Sequence, residues 1–223
     1  MLKKKTNKLH CSLCYSDNID DYHRDHKRHY LRCVACGLVF VPQRYHLSAN
    51  AEKAIYDSHQ NSPLDAGYRR FLTRLSVPLL ERLTPQSKGL DFGSGPGPTL
   101  SVMLEEAGHS VALYDLYYAD DPAVLETQYD FITCTEVAEH IAQPRLVLNK
   151  LWALLEPGGY LALMTKQVTD QASFTRWHYK NDLTHISFFS RQAFDYLGAS
   201  WGVEPLFIGA DVIIFRRPTA GLE

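Results

Sequence analysis

Leu90-Asp91-Phe92-Gly93-Ser94-Gly95-Pro96-Gly97 is the stretch of this 223-residue chain best suited to hold a small charged ligand. An apolar run ends in an acidic residue, and a glycine loop then turns straight into a helix. Gly93 and Gly95 carry no Cβ, so the backbone can turn tightly and come close to a ligand. The spacing is G-x-G-x-G, not the G-x-G-x-x-G of the dinucleotide fingerprint. A pyrophosphate seeks the bare N–H groups of a helix start, whereas Asp91 sets a negative charge just before this loop. A cationic, phosphate-free cofactor is the better match, and S-adenosylmethionine has that character. Asp115 closes a second apolar run about 20 residues beyond the glycines, the offset at which a carboxylate reaches ribose hydroxyls.

A second constellation lies near the start. Cys11-x2-Cys14 and Cys33-x2-Cys36 have the spacing of a zinc ribbon, in which two knuckles present four thiolates to one tetrahedral ion. A segment this short lacks the apolar material to fold without a staple. Four cysteines close the coordination sphere, so the expected zinc is structural. Residues 1–50 carry nine Lys/Arg against four Asp, and the remainder 14 against 21. That basic end could touch nucleic acid, or be a solvated surface. No stretch approaches the roughly 20 apolar residues of a membrane span, and no apolar run follows Lys3, Lys4 and Lys5, so a cytoplasmic protein is expected.

The elements that must position these residues alternate. Strands are expected at 88–92, 110–115, 129–135 and 160–165, with helices at 98–107 and 142–155 between them. This predicts an α/β, Rossmann-like, doubly wound and mostly parallel sheet. A helical pattern over 51–83 precedes it, with Pro78 placed to kink or divide it. A helix at 191–200 and two strands near 204–209 and 212–217 follow; their short link forces an antiparallel hairpin. Only 14 residues separate Asp115 from Asp130, so the third strand of such a sheet is reduced or absent. The organisation expected is a zinc-ribbon-like module over 1–45 and a larger domain over 46–223, each with its own core.

With these motifs in order, the chain resembles the class I S-adenosylmethionine-dependent methyltransferases, and more closely their bacterial type 11/12 group. Three further segments carry the resemblance: the strand from Tyr129 running into Glu136-Val137-Ala138-Glu139-His140, the turn Glu156-Pro157-Gly158-Gly159, and Thr184-His185 leading to Phe188-Phe189-Ser190. The resemblance implies that Asp91, Phe92, Gly93, Ser94, Gly95, Gly97, Asp115, Leu116, Thr135 and Glu136 surround the cofactor. With the third strand reduced, Leu116, Tyr117 and Tyr118 are expected to wall the adenine.

Methyl transfer from a sulfonium is an in-line displacement that needs positioning and exclusion of water more than covalent participation. The acceptor is therefore less legible than the cofactor. His185 and His140 are candidate bases or acceptor contacts, with Tyr179 beside them on a segment, 166–190, expected to act as a mobile cover. Glu136 and Glu139 are expected to orient loops. Thr135-Glu136-Val137 replaces the [N/D]-P-P-[Y/F] motif of enzymes that modify base amino groups. A small-molecule or glycan acceptor is therefore favoured, with RNA or protein next. The remaining alternative is a non-enzymatic adaptor on a degenerate cofactor fold, against which the intact glycine loop and Asp115 argue.

Overall fold

In a computed structural model covering residues 9–58 and 61–219, two sheets are built side by side. Lys3, Lys4 and Lys5 of the basic run lie outside the described residues. The smaller sheet begins with β1 (Ile19–Arg24), β2 (His29–Cys33) and β3 (Val39–Phe40), joined antiparallel. Its fourth strand comes from far along the chain: β8 (Ser187–Phe188) pairs antiparallel with β3, Val39 opposite Phe188.

The larger sheet contains β4 (Lys88–Phe92), β5 (Ser110–Tyr114), β6 (Tyr129–Thr135), β7 (Leu155–Met164), β9 (Leu206–Ile208) and β10 (Val212–Arg216). Their order is β5-β4-β6-β7-β10-β9. The first four are parallel, and β10 and β9 close the far edge as the expected antiparallel hairpin. β5 is an edge strand; residues 122–126 form a 3-10 turn where a third strand would begin.

Strands buried on both faces alternate between two cores. Phe131, Ala162, Met164, Val212 and Ile214 face helices α2 (Ala66–Leu80) and α3 (Thr99–Glu106), through Leu72, Leu75, Leu79, Leu100 and Leu104. Ile132, Cys134, Leu161, Leu163, Ile213 and Phe215 face the other way. They meet Leu148 and Leu151 of α4 (Pro144–Ala153) and Phe194 and Leu197 of α6 (Arg191–Trp201). The 51–83 pattern resolves into α1 (Ala49–Tyr56) and α2, each with its own N-cap, Ser48 and Asp65. The break thus falls before α2, while Pro78 is accommodated within it.

Separate cores are not what forms. Cys11, Leu13, Cys33, Leu38 and Phe40 belong to the same buried cluster as Leu90, Leu148 and Phe194. A further cluster joins Tyr30, Val39 and Val41 to Phe174, Tyr179 and Phe188. No helix among the described residues is long and apolar enough to cross a membrane. Phe188, fully buried between these elements, tests the continuity. Phe188→Ala should cost about 3–5 kcal/mol and shift a single calorimetric transition downward. A component still melting at the wild-type temperature would show two independent units.

Candidate active site

The chain order of the large sheet reverses between β4 and β6, and ligands of open α/β sheets sit beyond the strand ends at such a point. Asp91 lies on β4, almost fully buried, and accepts a hydrogen bond from Thr133 Oγ1 of β6 at 2.7 Å. Burial, opposed by that bond and reinforced by the Asp115 charge, pushes its carboxyl up to about 6. Gly93 turns the loop at φ 77°, and a Cβ there would stand 2.3 Å from Val137. At Gly97 a Cβ would meet the Asn61 carbonyl at 2.2 Å, so the loop is closely covered from the α1–α2 connection. Gly95 faces open space at φ 65°. Its N–H donates to Asp115 Oδ2 at 2.9 Å, while Asp115 Oδ1 accepts from the Tyr117 and Tyr118 N–H groups. Asp115 therefore ties the glycine loop to the end of β5.

Three buried polar atoms without hydrogen-bond partners surround this cradle: Ser94 Oγ, Thr135 Oγ1 and Glu136 Oε1. Glu136 adopts a left-handed backbone at φ 53°, a strained choice for glutamate. Burial and the neighbouring Glu139 charge push its carboxyl up to about 8. The cradle is thus buried and carboxyl-rich, with two hydroxyls and a carboxyl oxygen left to meet a ligand, and it suits a cationic polar one. The cofactor expected from the sequence fits these residues.

The acceptor-side candidates do come together. His140 ends a 3-10 turn (Ala138–His140) just past β6 and lies edge-on to His185, ring centroids 4.7 Å apart. Tyr179 packs on His185 at 4.1 Å, its hydroxyl donating to Glu139 Oε1 and lying 3.3 Å from Thr165 Oγ1. Burial and the Glu139 and Glu136 charges push that phenol upward, so it stays a donor. His185 Nδ1 donates to the Tyr179 carbonyl at 2.8 Å, and burial lowers its pKa, favouring neutral imidazole.

The 166–190 segment, expected as a mobile cover, is bonded in place instead. It contains α5 (Gln171–Arg176), a 3-10 turn (His178–Asn181) and β8. Arg28, 3% exposed, donates to the carbonyls of Lys180, Asp182, Leu183 and His185. Lys180 Nζ reaches Asp25 at 3.2 Å. Nothing in the local sequence marks Arg28; only the fold joins it to residues about 150 positions away. The residues expected to wall the adenine have further partners. Leu116 is exposed, and the Tyr117 and Tyr118 hydroxyls donate to Glu52 and to Asp57 at the end of α1, at 2.8 and 2.7 Å. Tyr56 of α1 packs edge-on against His140. The α1 helix is thus a cover that the periodicity of the sequence does not place.

At the base of the small sheet the Cys11, Cys14, Cys33 and Cys36 sulfurs lie within 4.8 Å of one another, with no disulfide among them. A hydrogen bond from the Cys36 thiol lowers Cys11 to about 5, so one member readily exists as thiolate. Leu13 N donates to Cys11 Sγ, and Gly37 N to the Cys33 carbonyl, as two tight knuckles require. This donor set can hold a tetrahedral ion.

Residues 58–204 match the family model described as a methyltransferase domain. The chain belongs to this family and is a methyltransferase domain of the S-adenosylmethionine-dependent kind. It is similar to the tRNA 5-carboxymethoxyuridine methyltransferase of Escherichia coli K12, 35% identical over 113 residues, covering 39% of this chain and 43% of the relative. It is also similar to the ubiquinone biosynthesis O-methyltransferase of Pseudomonas savastanoi pv. phaseolicola, 30% identical over 77 residues, 34% of this chain and 33% of the relative. The chain thus spans less than half the length of the curated relatives it matches. An O-methyltransferase family protein from Burkholderia thailandensis shares the fold, with TM-score 0.51 and 14% identity, over 80% of this chain and 62% of that one.

Asp91 yields a pH test. The folded chain holds the Asp91 proton more tightly than the unfolded chain does. Its stabilising contribution is therefore complete below about pH 4 and lost as pH rises through about 6. In ligand-free protein, Asp91→Asn should leave the melting temperature near wild type at pH 4 and raise it relative to wild type at neutral pH. The gap corresponds to at most about 3 kcal/mol. A gap that did not change with pH would show that folding leaves the Asp91 pKa unshifted.

Proposed function

We propose that this chain transfers the methyl group of S-adenosylmethionine to a small-molecule or glycan acceptor. The observation that carries this reading is the buried, carboxyl-lined cradle at the ends of β4 and β6, with Asp91 buried beside the glycine loop. Bound there, S-adenosylmethionine would supply an electrophilic methyl on a cationic sulfonium. Asp91, Phe92, Gly93, Ser94, Gly95 and Gly97 would hold it from one strand end. Asp115 and Leu116 would do so from the second, and Thr135 and Glu136 from the third. Asp91 and Glu136 would offset its positive charge, and α1 with residues 61–65 would keep water out. On the acceptor side His185, His140 and Tyr179 would orient the nucleophile. Tyr179 would remain a proton donor to Glu139.

In this reading residues 1–45 form a module built on structural zinc held by Cys11, Cys14, Cys33 and Cys36, and residues 46–223 form the transferase part. The module's role would be to brace the acceptor segment through Arg28. An RNA acceptor is the second reading. It is favoured by the similarity to an enzyme named for tRNA and by exposed Arg24 and Arg32 on the small sheet, with exposed Lys27 and Arg44 in the turns beside it. Arg28 and Lys180, by contrast, are buried and already bonded.

S-adenosylhomocysteine should raise the melting temperature, as a ligand selective for the native state must, and NAD should not; equal stabilisation by NAD would overturn the reading. Gly95→Val should abolish the shift, since it fills the open side of the loop and places a β-branched residue at positive φ. Elemental analysis should find about one zinc per chain. His185→Ala should lower methyl transfer at least about tenfold with little change in cofactor affinity. Loss of both together would move His185 into the cofactor shell.

A further inference from the structure

Beyond the four cysteines, one other cluster among the described residues has ligand atoms within 4.8 Å of one another: Glu139, His140 and His185. Its members come from two segments, the 3-10 turn after β6 and the Arg28-braced loop before β8. Glu139 is fully buried, and its Oε2 has no hydrogen-bond partner. A carboxyl removed from water with a bare oxygen is costly as the anion, and a proton or a cation must meet it.

The surrounding bonds prepare these groups as ligands. Metal-bound histidines characteristically give their second ring N–H to a carbonyl or carboxylate, which fixes the tautomer and turns the other nitrogen's lone pair to the metal. His185 does this: Nδ1–H is taken by the Tyr179 carbonyl at 2.8 Å, and Nε2 keeps its lone pair, with Asp182 Oδ2 no nearer than 3.8 Å. Ligating carboxylates are likewise held by a hydrogen bond on one oxygen. The Tyr179 hydroxyl takes Glu139 Oε1 and leaves Oε2. One residue, Tyr179, therefore orients two of the three groups through different atoms.

We propose that Glu139, His140 and His185 bind a divalent first-row transition-metal cation, and that this cation binds the oxygen of a hydroxyl-bearing methyl acceptor. Two imidazoles and one carboxylate form a set that leaves coordination positions open for further ligands and suits borderline cations. The inference about the acceptor rests on the methyltransferase reading above; the metal site does not. In the transfer, the acceptor O–H gives its proton to bulk solvent, its acidity raised by the cation. The oxygen then forms a bond to the sulfonium methyl, and the carbon–sulfur bond breaks with its electron pair remaining on sulfur. The products are a methyl ether and S-adenosylhomocysteine, with no change in metal oxidation state.

The test is calorimetric titration of the full chain, its cysteine-bound zinc retained, with Co2+ alone, with S-adenosylhomocysteine alone, and with both. One Co2+ per chain should bind beyond the zinc. Its visible spectrum should lack the thiolate-to-cobalt absorption of a cysteine site. Glu139→Gln should weaken that binding at least about tenfold, the loss seen even for groups that only support ligands. His140→Gln, at a half-buried position, should do the same, and both variants should keep a cooperative melt. Failure of Co2+ to bind, or binding unchanged in folded Glu139→Gln or His140→Gln, overturns the site. If S-adenosylhomocysteine binds and Co2+ does not, the metal proposal falls alone. If Co2+ binds and S-adenosylhomocysteine does not, the transferase reading falls and the site stands.

Discussion

A buried guanidinium with every N–H committed anchors the loop of residues 180–185. Arg28 Nε donates to the Tyr30 hydroxyl, and its four terminal N–H groups reach the carbonyls of Lys180, Asp182, Leu183 and His185. Those carbonyls belong to a stretch with little regular structure, so a single side chain does for them what a strand ladder would do elsewhere. Hydrogen bonds to a charged group contribute about 1.5–3 kcal/mol each, and removal of the donor strands buried carbonyls. Lysine, with three donors on a point charge, could not reproduce the fork. Beside it, burial works against the Asp25 carboxylate. Hydrogen bonds from the Arg28 and Lys27 N–H groups, Lys180 and Tyr30 nevertheless hold it well below the usual range.

The ends of β4 and β6 show the opposite arrangement. Asp91, Glu136 and Glu139 are carboxyls with few donors, and burial pushes all three upward. Glu136 adds a left-handed backbone at the same strand end. Each feature destabilises the ligand-free fold, and the continuous cores beneath β4, β6 and β7 supply the stability that tolerates them. A cationic ligand would convert the same carboxyls from a cost into an attraction, giving binding selectivity and local instability one origin.

What could be read in the sequence was local. The glycine loop, its flanking strand and helix, and the alternation through β7 rest on periodicity and turn chemistry within short windows. The hairpin of β9 and β10 followed from loop length alone. The small sheet was hidden because β3 and β8 are two residues each and pair across nearly 150 positions, leaving no pattern in either. The same separation hid the shared core and Arg28. For 166–190, length and aromatic content suggested mobility; its bonds go to distant backbone, which composition cannot reveal. Tyr117 and Tyr118, expected to wall an adenine, lie beside Asp115 with their hydroxyls holding α1, part of a longer helical pattern that the Asp65 cap divides.

The cysteine cluster is joined to the loop that carries His185. Cys33 ends β2, and Cys33 N–H donates to the Leu38 carbonyl, so the second knuckle is also the turn into β3. β3 carries β8 through the pairing of Val39 with Phe188, and His185 lies three residues before Phe188. Arg28, one residue before β2, grips the same loop from its other end. The order of the four thiols therefore propagates through two hairpin strands to the backbone that aims His185 and Tyr179. A module that only added stability could have been placed anywhere on the surface. Here it supplies three strands of the sheet that ends at the acceptor side, and so its integrity sets the geometry of the candidate site as well as the strength of the fold.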